Sequence, residues 1–140
     1  MMIYVDTSVL VAMFTREPES ERVARWYASC DAELVSAVWC VTEFASALGI
    51  KQRTGQIDAQ TAQAAWQQFE CFCANDLQLI PVETAAFQRA AVLTLDAKTG
   101  LRAGDSLHLS VALECKGRSM ATLDGVLEKN ANRMKLMTIF

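Results

Sequence analysis

Four carboxylates, Asp6, Glu43, Asp105 and Asp124, stand where an alternating α/β chain would place oxygen ligands for a metal ion. Mg²⁺ and Mn²⁺ favour such ligands in near-octahedral geometry, and Mg²⁺ typically takes one or two carboxylates and keeps several waters. The chemistry these residues suit is hydrolysis of a phosphodiester, in which the ion acidifies water and neutralises charge on the phosphoryl oxygens. Without an ion, four clustered carboxylates would repel one another and some would hold their protons more tightly.

Two of these acids, Glu43 and Asp105, also have a plainer reading. Asp6 ends the apolar run Met1–Val5 and precedes Thr7-Ser8 and a second apolar run, Val9 to Phe14. That pattern reads as strand, acid at the strand's carboxyl end, then helix, with Thr7 or Ser8 able to cap the helix or support the acid. Asp124 repeats the arrangement after Ser119–Leu123, and open α/β sheets bind ligands at the carboxyl ends of their strands. Glu43 lies among apolar neighbours in the helical stretch Ala37–Leu48. An ionised carboxylate is seldom buried without a partner, so the alternative is a surface glutamate on the helix's polar face. Asp105 opens the stretch Ser106–Leu113, where an N-cap is the plain alternative. His108, the sole histidine, lies one turn deeper along that apolar stretch and reads as a hydrogen-bonded structural imidazole rather than a general base.

The elements that must position these residues alternate along the chain. A strand over about 2–6 leads to a helix over about 8–14, and Glu17-Pro18 introduces a second helix carrying Val23, Trp26 and Tyr27. A strand at Glu33–Ser36 precedes the Glu43 helix, which should end near Gly55. Asp58 then caps a long helix with Trp66, Phe69, Phe72 and Cys73 on its apolar stripe and Gln60, Gln63, Gln67 and Glu70 toward water. Leu77–Val82 reads as an edge strand because Pro81 cannot donate a ladder hydrogen bond. A helix from Glu83 or Thr84, a loop over 96–104, the Asp105 helix stopped by Gly117, a strand to Asp124, a short helix over about 125–132 and a strand over 135–140 complete the pattern. Strands alternating with helices imply a mainly parallel sheet of about five strands covered on both faces.

A chain of 140 residues, 52% hydrophobic, suits one domain over residues 1–140 with a substantial core. No apolar run approaches the ~18 residues of a membrane span, and Asp6 interrupts the N-terminal stretch before it could act as a signal-peptide core. The expectation is a soluble cytoplasmic protein. Five cysteines, Cys30, Cys40, Cys71, Cys73 and Cys115, with no CxxC pair, argue against a disulfide framework or zinc site and read as buried thiols. Thirteen basic and 16 acidic residues give a net charge of −3; setting aside the four candidate ligands leaves 13 against 12. The acidic balance is therefore compatible with a nucleic-acid substrate, although Lys and Arg are dispersed rather than gathered into a footprint.

Four short segments, VDTSVLVA at Val5–Ala12, VTEFASAL at Val41–Leu48, LRAGDSLHLSVA at Leu101–Ala112 and MATLDGVLEKNA at Met120–Ala131, together resemble the PIN-domain nucleases. Within them the chain looks most like the VapC-type toxins of toxin–antitoxin pairs, and the match spans the whole chain. The resemblance implies a three-layer α/β/α fold, a Mg²⁺ or Mn²⁺ site on Asp6, Glu43, Asp105 and Asp124, endoribonuclease activity on RNA, homodimerisation, and inhibition by a VapB-like antitoxin that inserts a basic side chain toward the acids. It also implies support from Thr7 or Ser8. Glu128, one turn past Asp124, is a further candidate for the second ion.

Other chemistries fit poorly. The position two after Asp6 is Ser8 rather than the second aspartate of a phosphoryl-aspartate phosphatase, and no GxxxxGK[ST], GxGxxG or GxSxG motif is present. The Lys98-Thr99-Gly100 triplet lacks the partner motifs of a serine acylase. The remaining alternative is a catalytically silent PIN-like module that grips RNA or a protein partner.

Overall fold

The computed structural model describes residues 1–115 and 118–140. The expected helix stop at Gly117 lies outside the described residues. Five strands form one sheet: β1 (Met2–Val5), β2 (Glu33–Ala37), β3 (Leu77–Ile80), β4 (Ser119–Ala121) and β5 (Met137–Ile139). Their order is β3-β2-β1-β4-β5 and every pairing is parallel. The helices are α1 (Thr7–Phe14), α2 (Ser20–Ala28), α3 (Trp39–Arg53), α4 (Ala59–Asn75), α5 (Thr84–Leu95), α6 (Ala103–Glu114) and α7 (Gly125–Arg133), with a 3₁₀ turn at Ala97–Thr99. Pro81 follows edge strand β3, as its missing N–H requires.

Residue alternation along the strands divides the core into two layers. Ile3, Val5 and Leu34 face α1 to α4 and pack with Val9, Leu10, Phe44, Phe69 and Phe72. Tyr4, Val35 and Ala37 face the other way, against Leu109, Val111, Leu127 and Ala131 of α6 and α7. Right-handed crossovers tie the direction of travel across the sheet to the face each helix covers. The chain therefore moves outward from β1 to β3 with α1 to α4 on one face, then returns past β1 to β4 with α5 and α6 on the other. The reversal falls between β1 and β4, where Tyr4 pairs with Met120 and Val5 with Ala121. That switch point leaves an open crevice at the strands' carboxyl ends.

Local signals account for most boundaries. Asp58 caps α4, its Oδ1 accepting Thr61 N–H at 2.7 Å. α2 starts at Ser20, whose hydroxyl donates to the Thr15 carbonyl and accepts Glu17 N–H. Lys51 is buried, with Nζ 2.5 Å from Glu17 Oε1, and ties the end of α3 to the α1–α2 turn. The cysteines depart from expectation: Cys40 alone is buried, Cys71 is exposed, and the other three are intermediate. Cys71 faces water because α4 turns its apolar stripe of Phe69 and Phe72 inward. Burial pushes the Cys40 thiol up to about 12, so it is an inert core group.

Candidate active site

Asp6 lies one residue past β1 and caps α1, with Oδ1 accepting Val9 N–H at 3.3 Å. It is 3% exposed, yet both carboxylate oxygens are paired: Oδ1 also accepts from the Ser8 hydroxyl and Oδ2 from the Thr122 hydroxyl, each at 2.6 Å. The two hydroxyls act as a clamp between strands. Ser8 Oγ accepts Leu123 N–H at 2.9 Å and Thr122 Oγ1 accepts Asp124 N–H at 3.0 Å. The turn that presents Asp124 is thus fixed to Asp6 by four hydrogen bonds through two side chains. Burial still pushes the Asp6 carboxyl above its usual range, against the electrostatic pull of His108 and the hydrogen bonds from Ser8, Thr122 and Val9.

Glu43 stands in the second turn of α3, half-buried, while the adjacent Phe44 points into the core. Its Oε1 accepts from the Thr7 hydroxyl at 2.6 Å and is in close contact with His108 Nε2. Burial alone would raise its carboxyl. The hydrogen bond from His108, then that from Thr7, outweighs this and holds Glu43 below the usual glutamate range. The Trp39 indole N–H also lies near enough to favour the anion, but it is buried without forming a hydrogen bond.

Asp105 is in the first turn of α6 without capping it; Arg102 occupies the cap position and no side chain there bonds the helix N–H groups. The plain cap reading of Asp105 therefore fails, and a half-buried acid remains to be explained. Burial raises its carboxyl, the nearby charges of Asp124 and Glu43 raise it further, and the Arg102 backbone and His108 oppose them. Asp124 caps α7, with Oδ1 accepting Leu127 N–H at 2.9 Å. Glu128 follows in the first turn of α7. Three helix N-termini thus present acids, Asp6 and Asp124 as the caps of α1 and α7 and Asp105 in the first turn of α6, while Glu43 comes from the second turn of α3.

Several participants carried no clear signal in the sequence. Thr122 is a hydroxyl at a strand end, recognisable only once β4 is known to lie beside β1. Gly104 matters because a Cβ there would lie 2.7 Å from Glu43 Oε2 and 3.4 Å from Trp39 Nε1. Thr7 and Ser8 divide the labour: Thr7 holds Glu43 and Ser8 holds Asp6.

The candidate donors Asp6, Glu43, Asp105 and Asp124 offer only oxygen, and Asp105 is raised by burial and then by the charges of Asp124 and Glu43, a repulsion that a hard divalent cation would relieve. Among the described residues no three carboxylate, imidazole or thiol groups stand close enough together to hold a metal ion. The fit therefore rests on the chemistry of the candidate donors, hard carboxylate oxygens of the kind a divalent cation takes while keeping part of its water shell. One consequence is sharp. Gly104→Ala should fold but drive Glu43 Oε2 aside against the grip of Thr7 and His108, and calorimetric Mn²⁺ titration should show affinity reduced several-fold or more. Unchanged affinity would mean that Glu43 contributes nothing to ion binding.

Comparison with known proteins agrees with this architecture. The family model described as the PIN domain matches residues 3–132. No curated protein matches the chain in sequence. Among solved structures, the chain is similar to the Sarcin-Ricin loop cleaving toxin VapC20 of Mycobacterium tuberculosis, with a TM-score of 0.74 at 16% identity, covering 91% of this chain and 94% of that one. It is also similar to FitAcB from Neisseria gonorrhoeae, with a TM-score of 0.73 at 18% identity over 99% and 97% of the two chains. VapBC2 from Rickettsia felis, bound to a fragment of its promoter DNA, gives 0.66 at 14% identity over 99% and 98%. With the PIN-domain model matching residues 3–132, nearly its whole length, the chain belongs to the PIN-domain family.

Proposed function

We propose that this protein is a Mg²⁺- or Mn²⁺-dependent endoribonuclease, the toxin of a VapBC-type pair, built as a single domain over residues 1–140. The observation that supports the reading is the electrostatic coupling of half-buried Asp105, raised by burial and then by the charges of Asp124 and Glu43, together with the tie of Asp6 to the Asp124 turn through Ser8 and Thr122. Glu43, Asp105 and Asp124 would hold the ion, and Asp6 would complete the site from the sheet. When bound, the ion supplies Lewis acidity toward water and the scissile phosphodiester. The chain's own residues orient these acids: Ser8 and Thr122 fix Asp6, and Thr7 fixes Glu43. Glu128 stands one turn behind Asp124 as a reserve ligand.

An antitoxin partner is supported by a cleft of about 350 Å³ beside the site, with Val11, Pro18 and Leu123 as apolar lining and Glu17 and Glu19 at its edge. Such a cleft fits a segment carrying both apolar and basic side chains. A homodimer is supported by α5, where Phe87, Ala91 and Leu95 follow helical spacing and Phe87 and Leu95 are 48% and 84% exposed. Leu95→Glu should convert the dimer to monomer in sedimentation velocity, and a dimer that persists would place its interface elsewhere.

A second reading, a PIN-fold module that holds RNA or protein without cutting, has one observation in its favour: both Asp6 oxygens are already engaged by the protein. End-labelled structured RNAs incubated with antitoxin-free protein in Mg²⁺, Mn²⁺ or EDTA separate the two. Metal-dependent cutting supports the nuclease, and retention of intact RNA with bound Mn²⁺ supports the module. Among the described residues no helix is long and apolar enough to cross a membrane.

A further inference from the structure

A continuous hydrogen-bonded chain crosses the sheet into the site. Tyr4, 1% exposed in the central strand, accepts Ala37 N–H from the end of β2 at 3.1 Å. With that lone pair engaged, its hydroxyl proton is free for His108 Nδ1, 2.6 Å away. An Nδ1 that accepts requires, in the neutral ring, that Nε2 carry the proton. Nε2 faces Glu43 Oε1 and, at 3.1 Å, Thr7 Oγ1. The Thr7 hydroxyl proton is itself committed to Glu43 Oε1, so Thr7 can only accept from the imidazole. In this arrangement every donor in the chain meets an acceptor.

We propose that Tyr4 and His108 are positioning residues that lock one His108 tautomer, so that Nε2–H and the Thr7 hydroxyl saturate Glu43 Oε1 and leave Oε2, beside Gly104, as the oxygen offered to a divalent ion. The inference rests on the reading of Glu43 as a ligand. It gives a function to a buried imidazole, and it explains why the residue facing Oε2 has no side chain: a Cβ at position 104 would occupy the space that oxygen needs. It also distinguishes the two carboxylates held by hydroxyls. Asp6 has both oxygens paired within the protein, whereas Glu43 has its pairing gathered on one.

His108 is the only histidine, so ¹⁵N-detected imidazole spectra of the untagged, metal-free protein report on it alone. The expected wild-type spectrum is the neutral ring protonated at Nε2. Tyr4→Phe removes one hydroxyl and should release the lock, giving a mixture of tautomers in a folded protein and a Mn²⁺ affinity lower by roughly 10–100-fold, the usual cost of losing an outer-shell partner. His108→Gln, whose amide can still donate toward Oε1, should retain more Mn²⁺ affinity than His108→Ala, a rescue that a purely space-filling role would not produce. A proton on Nδ1 in the wild type overturns the proposal. So does a folded Tyr4→Phe variant that binds Mn²⁺ as tightly as wild type. If wild type shows the Nε2 tautomer but takes up no Mn²⁺ at all, the ligand reading of Glu43 fails together with the proposal, a result distinct from indifference to Tyr4→Phe alone.

Discussion

Asp105→Asn should abolish RNA cleavage and, in the absence of metal at neutral pH, should melt a few degrees above wild type. Both effects have one cause. Asp105 is half-buried beside Asp124 and Glu43, and its carboxyl is raised first by burial and then by those like charges. The folded state therefore holds this proton more tightly than the unfolded chain. As pH rises from the ordinary carboxylate range through the raised folded value, the metal-free protein loses stability, and the loss is complete above that value. Asparagine carries no charge and escapes the penalty, so the variant's advantage in EDTA should vanish at acidic pH. Saturating Mn²⁺ should reverse the order, because wild type alone gains binding energy, about 2.7 kcal/mol at a hundredfold excess over Kd. Activity should fall beyond the roughly 10–100-fold typical of outer-shell changes. Parallel thermal scans in EDTA and Mn²⁺ check the stability arm; a variant less stable than wild type in EDTA would refute the charge argument. Asp6→Asn is a less clean probe, because all three protein partners of Asp6 donate and an amide N–H would face one of them.

The largest loss of stability is expected for Phe44→Ala. Phe44 is fully buried, stacks on Phe69 with ring centroids 4.1 Å apart at 17°, and meets Phe14 edge-on at 6.1 Å and 86°. Truncation removes both the transfer energy and the packing around the void, a cost of about 3–5 kcal/mol. Against a total of about 5–15 kcal/mol for a domain of this kind, that is a large share. The substitution also loosens the helix that carries Glu43, one residue away, so Mn²⁺ should partly restore the loss by binding only the folded form. Urea denaturation at fixed slope measures it, and a change below about 1 kcal/mol would mean that the aromatic cluster does not hold α3 to the sheet.

What the sequence made legible was whatever is written in local periodicity and caps. The strand ending at Val5, the cap at Asp58, the apolar stripe of α4 and the edge position of β3 all follow from residues within one or two turns of each other. Parallel alternation was legible too, and with it the expectation that acids at strand ends would meet. Sheet order was not written locally, since nothing near Val5 indicates that β4 rather than a later strand lies beside it. Contacts that depend on that order stayed hidden as a result. Thr122 reaches Asp6 across 116 positions, and Tyr4 reaches His108 across 104.

Caps were harder to assign than helices. The residues after Asp6 looked like the cap of α1, but Asp6 itself takes that role while Thr7 and Ser8 turn to the acids. Asp105 looked like a cap and is not one, because α6 begins earlier than its apolar run, at Ala103. Lys51 shows the same limit for charge: a lysine near a helix C-terminus reads as exposed, yet Glu17, 34 positions away, gives it a partner in the interior. Single residues betray their environment poorly when the partner is distant in sequence.

The most direct test is single-turnover cleavage of an end-labelled RNA panel by antitoxin-free protein across a Mn²⁺ titration, with wild type and Asp105→Asn run side by side and EDTA as the control. The account predicts cutting by wild type that rises with Mn²⁺, stops in EDTA and is absent from a folded Asp105→Asn. Cleavage that persists in EDTA, or that Asp105→Asn retains at the wild-type level, would contradict it.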